Sequence, residues 1–266
     1  MASRRDMRLS CFDMTDRITV ITGAASGIGL STAELFADLG ARVVIADLNG
    51  DAAREAAASI TKDGGSAVGL ACDVADEASV AQAFRTVLDE LGPITCLVNN
   101  AAGRTKAAFM DMSVEEWDRM HHICTRGTFL CSREAIRQMI DAGQGGTIVN
   151  ISTVASIRPM IFNNTHYDSA KAGVNAVTRD CAIEFASHGI RVNAIMPGGT
   201  DTPGGRAVQA RADLPARGPA LTEGRRPMNR RGQPIELAQA ILFMASPASS
   251  YVTGQILGVD GGYMVS

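Results

Sequence analysis

The chain has 266 residues, 46% of them hydrophobic and 20% charged, with 25 Lys+Arg against 28 Asp+Glu and a formal charge of −3. That balance offers no basic excess for a nucleic-acid surface, and apolar runs such as 41–48 break long before the about 20 residues a membrane span requires. Arg4, Arg5 and Arg8 are not followed by the apolar stretch and cleavage site of a secretory signal, and Asp6 and Asp13 oppose a mitochondrial address. Residues 1–15 therefore read as a flexible N-terminal tail. Cys11, Cys72, Cys96, Cys124, Cys131 and Cys181 form no CxxC pair and have no His in ligand spacing. They read as small apolar residues in a reducing compartment, with the cytoplasm as expected location and no metal site.

From Arg17 onward a short β-branched run, a Gly or Asp, and an Ala-rich helical segment alternate. In chain order the pattern predicts strand Ile18–Thr22, helix Gly27–Leu39, strand Arg42–Asp47, helix Asp51–Lys62, strand Ala67–Ala71, helix Glu77–Leu91 and strand Cys96–Asn99. It continues with helix Val114–Ala142, strand Thr147–Ile151, helix His166–His188, strand Arg191–Ile195, helix Ile235–Ser246 and strand Gln255–Val259. Ser113, three residues before Glu116, marks a helix start, and Gly40 after Leu39 a helix stop. The strands are apolar throughout rather than alternating, as expected when both faces are covered. Strand–helix alternation of this kind implies right-handed crossovers and a three-layer α/β/α, Rossmann-like doubly wound parallel sheet of about seven strands. Residues 16–266 read as one domain. The stretch Pro197–Gly232, rich in Gly, Pro and Arg, lacks a long apolar period, and residues 199–232 are predicted to form a substrate lid.

The first strand runs into Thr22-Gly23-Ala24-Ala25-Ser26-Gly27-Ile28-Gly29 and then a helix. Glycines at a strand-to-helix turn let backbone N–H groups approach a pyrophosphate, which the helix N-terminus also favours. Asp47 closes the second strand about 20 residues on, where a carboxylate can bind ribose hydroxyls and repel a 2′-phosphate. Neither Ser26 nor Leu48 offers a cation for such a phosphate, so NAD is the expected cofactor. The alternatives are an Asp47 that only caps the next helix, and NADP. Farther along, Tyr167-Asp168-Ser169-Ala170-Lys171 sets a phenol and an ammonium four residues apart on one helix face. The cation favours the phenolate, which makes the tyrosine usable as a base.

With these two motifs stand Asp73-Val74, Asn99-Asn100-Ala101, 148–152 (Ile-Val-Asn-Ile-Ser), Arg191-Val192-Asn193-Ala194, Pro197-Gly198 and Val259-Asp260-Gly261-Gly262. Together they resemble the short-chain dehydrogenase/reductase family from Asp16 to Gly262. The resemblance implies Tyr167 as acid/base, and Lys171 as the group that favours its phenolate and binds the nicotinamide ribose. It further implies cofactor contacts from Gly23, Ser26, Gly27, Ile28, Gly29, Asp47, Leu48, Asp73, Val74, Asn99, Ala101, Ile151, Pro197, Gly198, Thr200 and Thr202. It also implies a homotetramer built on the helices around 114–142 and 166–188 and on the C-terminal segment.

Two positions depart from the family pattern. The substrate-orienting hydroxyl falls in the pair Ser152-Thr153, where the register selects Thr153 and the spacing to Tyr167 leaves Ser152 as a substitute. Cys124 stands where the family carries an Asn that binds a relay water, and a thiol cannot copy an amide. The relay would then run through the carbonyl at 124, or through His121, His122 or Thr125. The expected activity is an NAD(H)-dependent interconversion of a secondary alcohol and a ketone. The substrate is expected to be of medium size, facing an apolar wall at Met160-Ile161-Phe162, with lid arginines either holding an acidic group or merely solvated. The alternatives are an NADP-linked ketone reductase and a nucleotide-binding sensor or scaffold with little turnover.

Overall fold

The computed structural model describes residues 10–103, 105–210 and 214–266. Seven strands, β1 (Ile18–Thr22), β2 (Arg42–Asp47), β3 (Ser66–Ala71), β4 (Cys96–Asn99), β5 (Gly146–Ile151), β6 (Ile190–Pro197) and β7 (Ile256–Val259), form one sheet in the order β3-β2-β1-β4-β5-β6-β7. Every pairing is parallel. The order reverses between β1 and β4, and beyond the carboxyl ends of such strands lies the crevice where ligands bind in open α/β sheets.

Successive side chains of a strand point to opposite faces, and here both faces are apolar. Val43 and Ile45 of β2 and Cys96 and Val98 of β4 join one core, with Phe36 from α1 (Gly27–Asp38), Ile60 from α2 (Gly50–Lys62) and Ile241 from α8 (Pro234–Ala245). Val44 and Leu97 join the other, with Phe84 from α3 (Glu77–Leu91) and Leu130 and Met139 from α5 (Gly127–Ala142). Each fully buried large apolar side chain contributes about 1.5–3 kcal/mol, and this is why the strands read as continuous apolar runs.

The predicted elements are present, with shifted bounds and two corrections. The helix expected over Val114–Ala142 divides into α4 (Val114–His121), a π-helical turn at His122–Arg126, and α5. The segment expected as a loop-like lid without a long apolar period contains α7 (Pro203–Gln209), and a parallel bridge between Thr200 and Gly232 closes its base. α6 spans Thr165–Glu184, and a 3₁₀ turn at Ala186–His188 completes the expected helix. Residues 1–9 of the expected tail lie outside the described residues. Ser10–Phe12 form a 3₁₀ turn and Met14 is fully buried against the first core, so the packed chain begins before Asp16. No disulfide joins the described cysteines, and burial raises the thiols of Cys72, Cys96 and Cys131.

Candidate active site

β1 ends in a glycine turn whose conformation the sequence dictates. Gly23 and Gly27 have φ of 62° and 63°, a region that favours glycine. A Cβ on Gly23 would lie 2.7 Å from the Ala101 Cα, and one on Gly29 only 2.6 Å from the Asn100 amide nitrogen. Ser26 is the N-cap of α1 but makes no capping bond, so the first N–H groups of this 12-residue helix lack a side-chain partner there. Such N–H groups suit an anion. Gly23, Ser26, Gly27, Ile28, Asp47, Leu48, Asp73, Val74 and Ala101 line a cavity of about 290 Å³ over this turn. The Asp47 carboxylate accepts from Ala25 N at 3.1 Å and Asn49 N at 3.0 Å, so the residue that lines the cavity also fixes the turn. A carboxylate, an uncapped helix start and a backbone cradle at the switch point fit an adenine dinucleotide.

That cavity shares Ile28, Asn100, Ala102 and Thr202 with a second one of about 160 Å³. The second contains Ile151, Ser152, Thr153, Tyr167, Lys171, Pro197, Gly198 and Thr200. Tyr167 and Lys171 occupy successive turns of α6, which place the Lys171 Nζ 5.9 Å from the centre of the Tyr167 ring. Nζ also donates to the Ile151 carbonyl at 2.6 Å, which anchors a lysine that is only 1% exposed. The two hydroxyls at the end of β5 differ. Ser152 Oγ donates to the Lys171 carbonyl at 3.2 Å, inside the protein. Thr153 Oγ1 accepts from Ala155 N at 3.2 Å as an N-cap, leaving its own O–H as a donor for the cavity it lines.

Cys124 does not line either cavity. It is fully buried in the π-helical turn, its thiol 3.8 Å from the Met120 sulfur, in a small cluster with Ala170 that Tyr167 packs against. The turn abuts α6 through Thr125 Oγ1, which donates to the Ala170 carbonyl at 2.7 Å. The carbonyl of Cys124 accepts from Thr128 Oγ1 at 2.7 Å and also from the backbone N–H of Gly127.

Two expected contacts fall elsewhere. Asn99 is buried, donating to Ser132 Oγ and Asn150 Oδ1, and ties β4 to β5 and α5. Its neighbour Asn100 reaches the cleft and donates to the carbonyls of Thr22 and Gly23, which holds the glycine turn. The expected contact is Asn99; neighbouring side chains at the end of β4 point to opposite sides, and it is Asn100 that faces the cleft. Gly29 lies in the first turn of α1 as a close-packing position rather than in the lining of either cavity.

Of the apolar wall, Met160 and Ile161 line the cleft, whereas Phe162 is 58% exposed. None of the described arginines lines it: Arg206 pairs with Asp201, Arg230 with Glu236, and Arg225 donates to the Ser266 carbonyl. Arg211 and Asp213 lie outside the described residues. Sequence reasoning missed Thr105 and Asn164 in the lining. The residues flanking Tyr167 hold both: His166 Nε2 is 2.9 Å from Thr105 Oγ1, and Asn164 Nδ2 donates to Asp168 Oδ1 at 2.6 Å. Burial lowers the His166 imidazole below its ordinary value, and burial pushes the Asp168 carboxyl up to about 7 against the opposing bond from Asn164.

A cradle that fits a dinucleotide, sharing its lining with a cavity that holds a half-buried phenol and a buried ammonium, defines the class: an α/β oxidoreductase. Residues 23–264 match the family model described as Enoyl-(Acyl carrier protein) reductase. The chain is 42% identical over 249 residues to cis-4-hydroxycyclohexanecarboxylate dehydrogenase of Sinomonas cyclohexanicum, covering 93% of this chain and 96% of that one. It is 37% identical over 250 residues to cyclopentanol dehydrogenase of Comamonas sp., with 94% and 98% covered. The crystal structure of 3-ketoacyl-(acyl-carrier-protein) reductase from Brucella melitensis complexed with NADH superposes with a TM-score of 0.85 at 33% identity, over 95% and 100% of the two chains. The chain belongs to the short-chain dehydrogenase/reductase family. No described helix is long and apolar enough to cross a membrane.

Proposed function

We propose that the protein is an NAD(H)-dependent dehydrogenase that interconverts a cyclic secondary alcohol and its ketone. The observation that carries this reading is the continuity of the glycine-turn cavity with the cavity holding Tyr167 and Lys171. Names among the relatives, a hydroxycyclohexanecarboxylate dehydrogenase and a cyclopentanol dehydrogenase, support a ring-bearing alcohol. NAD rather than NADP rests on Asp47, whose carboxylate lines the adenosine end with no described cation beside it in that cavity.

The bound nicotinamide supplies the hydride acceptor in oxidation and the donor in reduction. The turn of Gly23, Ser26, Gly27 and Ile28 would hold the pyrophosphate, Asp73 and Val74 the adenine side, and Pro197, Gly198, Thr200 and Thr202 the nicotinamide side. In the oxidative direction Tyr167 Oη takes the proton of the substrate hydroxyl. Lys171 favours the phenolate by Coulomb attraction, and its bond to the Ile151 carbonyl fixes where that charge sits. Thr153 donates to the substrate oxygen as it becomes a carbonyl. Ser152 supports the floor by its bond to the Lys171 carbonyl. Residues 199–232 act as the lid, tied to the apolar wall by Phe162 N to the Arg217 carbonyl and Ala220 N to the Met160 carbonyl. Assembly as a homotetramer would cover the exposed Phe129 of α5 and Ile183 of α6.

The test is oxidation of cyclopentanol, cyclohexanol and ring-substituted analogues with NAD or NADP, read as nicotinamide reduction. NAD-dependent turnover is expected. A protein that binds NADH tightly yet oxidises none of them, or that works better with NADP, refutes the reading.

A further inference from the structure

Once the residues assigned to chemistry and cofactor are set aside, together with Asn100, whose amide is spent on the glycine turn, the catalytic cavity is lined by small and apolar residues, among them Ala155, Met160, Ile161 and Val208, and by two polar side chains, Thr105 and Asn164. A largely apolar site with few polar groups uses those groups to fix a ligand's orientation. Thr105 comes from the loop after β4 and Asn164 from the N-cap of α6, and the two loops are joined by Ala107 N donating to the Asn163 carbonyl at 3.2 Å. Each side chain is gripped from behind. His166, fully buried, holds the Thr105 hydroxyl, and Asp168 holds one N–H of the Asn164 amide. His166 and Asp168 are the sequence neighbours of Tyr167, so this polar pole is set on the same turn of helix that presents the phenol.

We propose that Thr105 and Asn164 form a specificity pole that receives a second, uncharged oxygen of the ring substrate, a hydroxyl or a ketone, remote from the carbinol carbon at Tyr167. This rests on the dehydrogenase reading above and names its substrate class: hydroxylated or oxo-substituted cyclic alcohols. A threonine hydroxyl held by one imidazole nitrogen keeps a free donor or acceptor valence. An amide that spends one N–H on a carboxylate keeps its carbonyl and its second N–H. Both partners are therefore pre-oriented and unsaturated. Charge selects against an acidic group: Lys171 is the only cation among the described lining residues and belongs to the catalytic pair, burial disfavours a cationic His166, and Asp168 stands directly behind Asn164.

The experiment compares cyclohexanol, 1,4-cyclohexanediol and 4-hydroxycyclohexanecarboxylate as substrates with NAD, for the wild type, Thr105→Val, Thr105→Ser and His166→Phe. The wild type is expected to favour the diol over cyclohexanol by about tenfold in kcat/KM, the size of one well-made hydrogen bond, with most of the difference in KM. Thr105→Val, which keeps shape and removes the hydroxyl, should erase that ratio, Thr105→Ser should restore it, and His166→Phe should reduce it by releasing the hydroxyl. A ratio that Thr105→Val leaves unchanged, whatever happens to overall activity, overturns the proposal, as does a wild-type preference for the carboxylate over the diol. If no alcohol is oxidised, the dehydrogenase reading fails separately. The pole is then read by titrating NADH-loaded protein with diol and with cyclohexanol through nicotinamide fluorescence, where equal affinities in wild type and Thr105→Val overturn it.

Discussion

Asp168→Asn isolates the electrostatic cost built in beside Tyr167. Asp168 is half-buried in the first turn of α6, and burial raises its carboxyl from its ordinary value of 3.8 to about 7. Between those values the folded protein holds a proton that the unfolded chain has lost, so stability falls as pH rises. The contribution is complete below about 4 and gone above about 7. For a group wholly out of water the shift corresponds to about 4 kcal/mol. The side chain keeps some contact with solvent, and screening brings the expected value to about 2 kcal/mol. Asparagine preserves the shape and can still accept from Asn164 Nδ2, but cannot ionise. The variant should therefore match the wild type near pH 4.5 and exceed it by about 2 kcal/mol at pH 8, with the gap opening through the neutral range. Urea unfolding of both proteins at several pH values measures this directly, since urea adds no salt. A gap of constant size from pH 4.5 to 8 would refute the reasoning, for it would show that the substitution acts through packing alone.

Three further outcomes follow from the site. Tyr167→Phe should lower kcat by about 10³-fold or more while NADH affinity, measured by fluorescence, stays within a few-fold. Retained turnover would move the acid/base role elsewhere. Asp47→Ser should shift the ratio of kcat/KM for NADP over NAD upward by at least about tenfold, and a fixed ratio would remove Asp47 from cofactor selection. Cys124→Asn, which restores the family's usual side chain, should destabilise the protein by about 1–3 kcal/mol. The thiol is fully buried and packs against Met120 and Ala170, so a larger, more polar amide must displace apolar neighbours. A thermal midpoint equal to that of the wild type would show that the π-helical turn can open to accommodate it.

The layered sheet was legible because its cause is local. Runs such as Val43-Val44-Ile45 are apolar at every position, and only a strand covered on both faces asks for that. The glycine turn and the Tyr-x₃-Lys spacing were legible for the same reason, since backbone conformation at Gly23 and Gly27 and helical periodicity from Tyr167 to Lys171 are both short-range properties. What the sequence concealed depends on tertiary geometry. Nothing in the run from Trp117 to Phe129 announces a π-helical turn, because its stabilising bonds go to α6: Thr125 reaches the Ala170 carbonyl 45 residues away. The exchange of Asn99 for Asn100 at the cleft has the same origin. Both carry the same amide, and the one that turns inward is the one whose register partner across the sheet, Asn150, offers a carbonyl.

The polar pole shows how these scales combine. Thr105 and His166 lie 61 residues apart and neither belongs to a motif, yet their bond is possible only because the β4 loop and the start of α6 meet over the cleft. The position before Tyr167 is therefore not a neutral spacer in this chain. It carries an imidazole that packing keeps buried and that can spend one nitrogen on a cleft hydroxyl. A chain with an apolar residue at 166 would keep the fold and the hydride chemistry but lose the fixed orientation of that hydroxyl. On the proposed reading, specificity for the second substituent and the acid/base step share one turn of helix, and a substitution at 166 or 168 should alter which ring is oxidised before it alters whether one is.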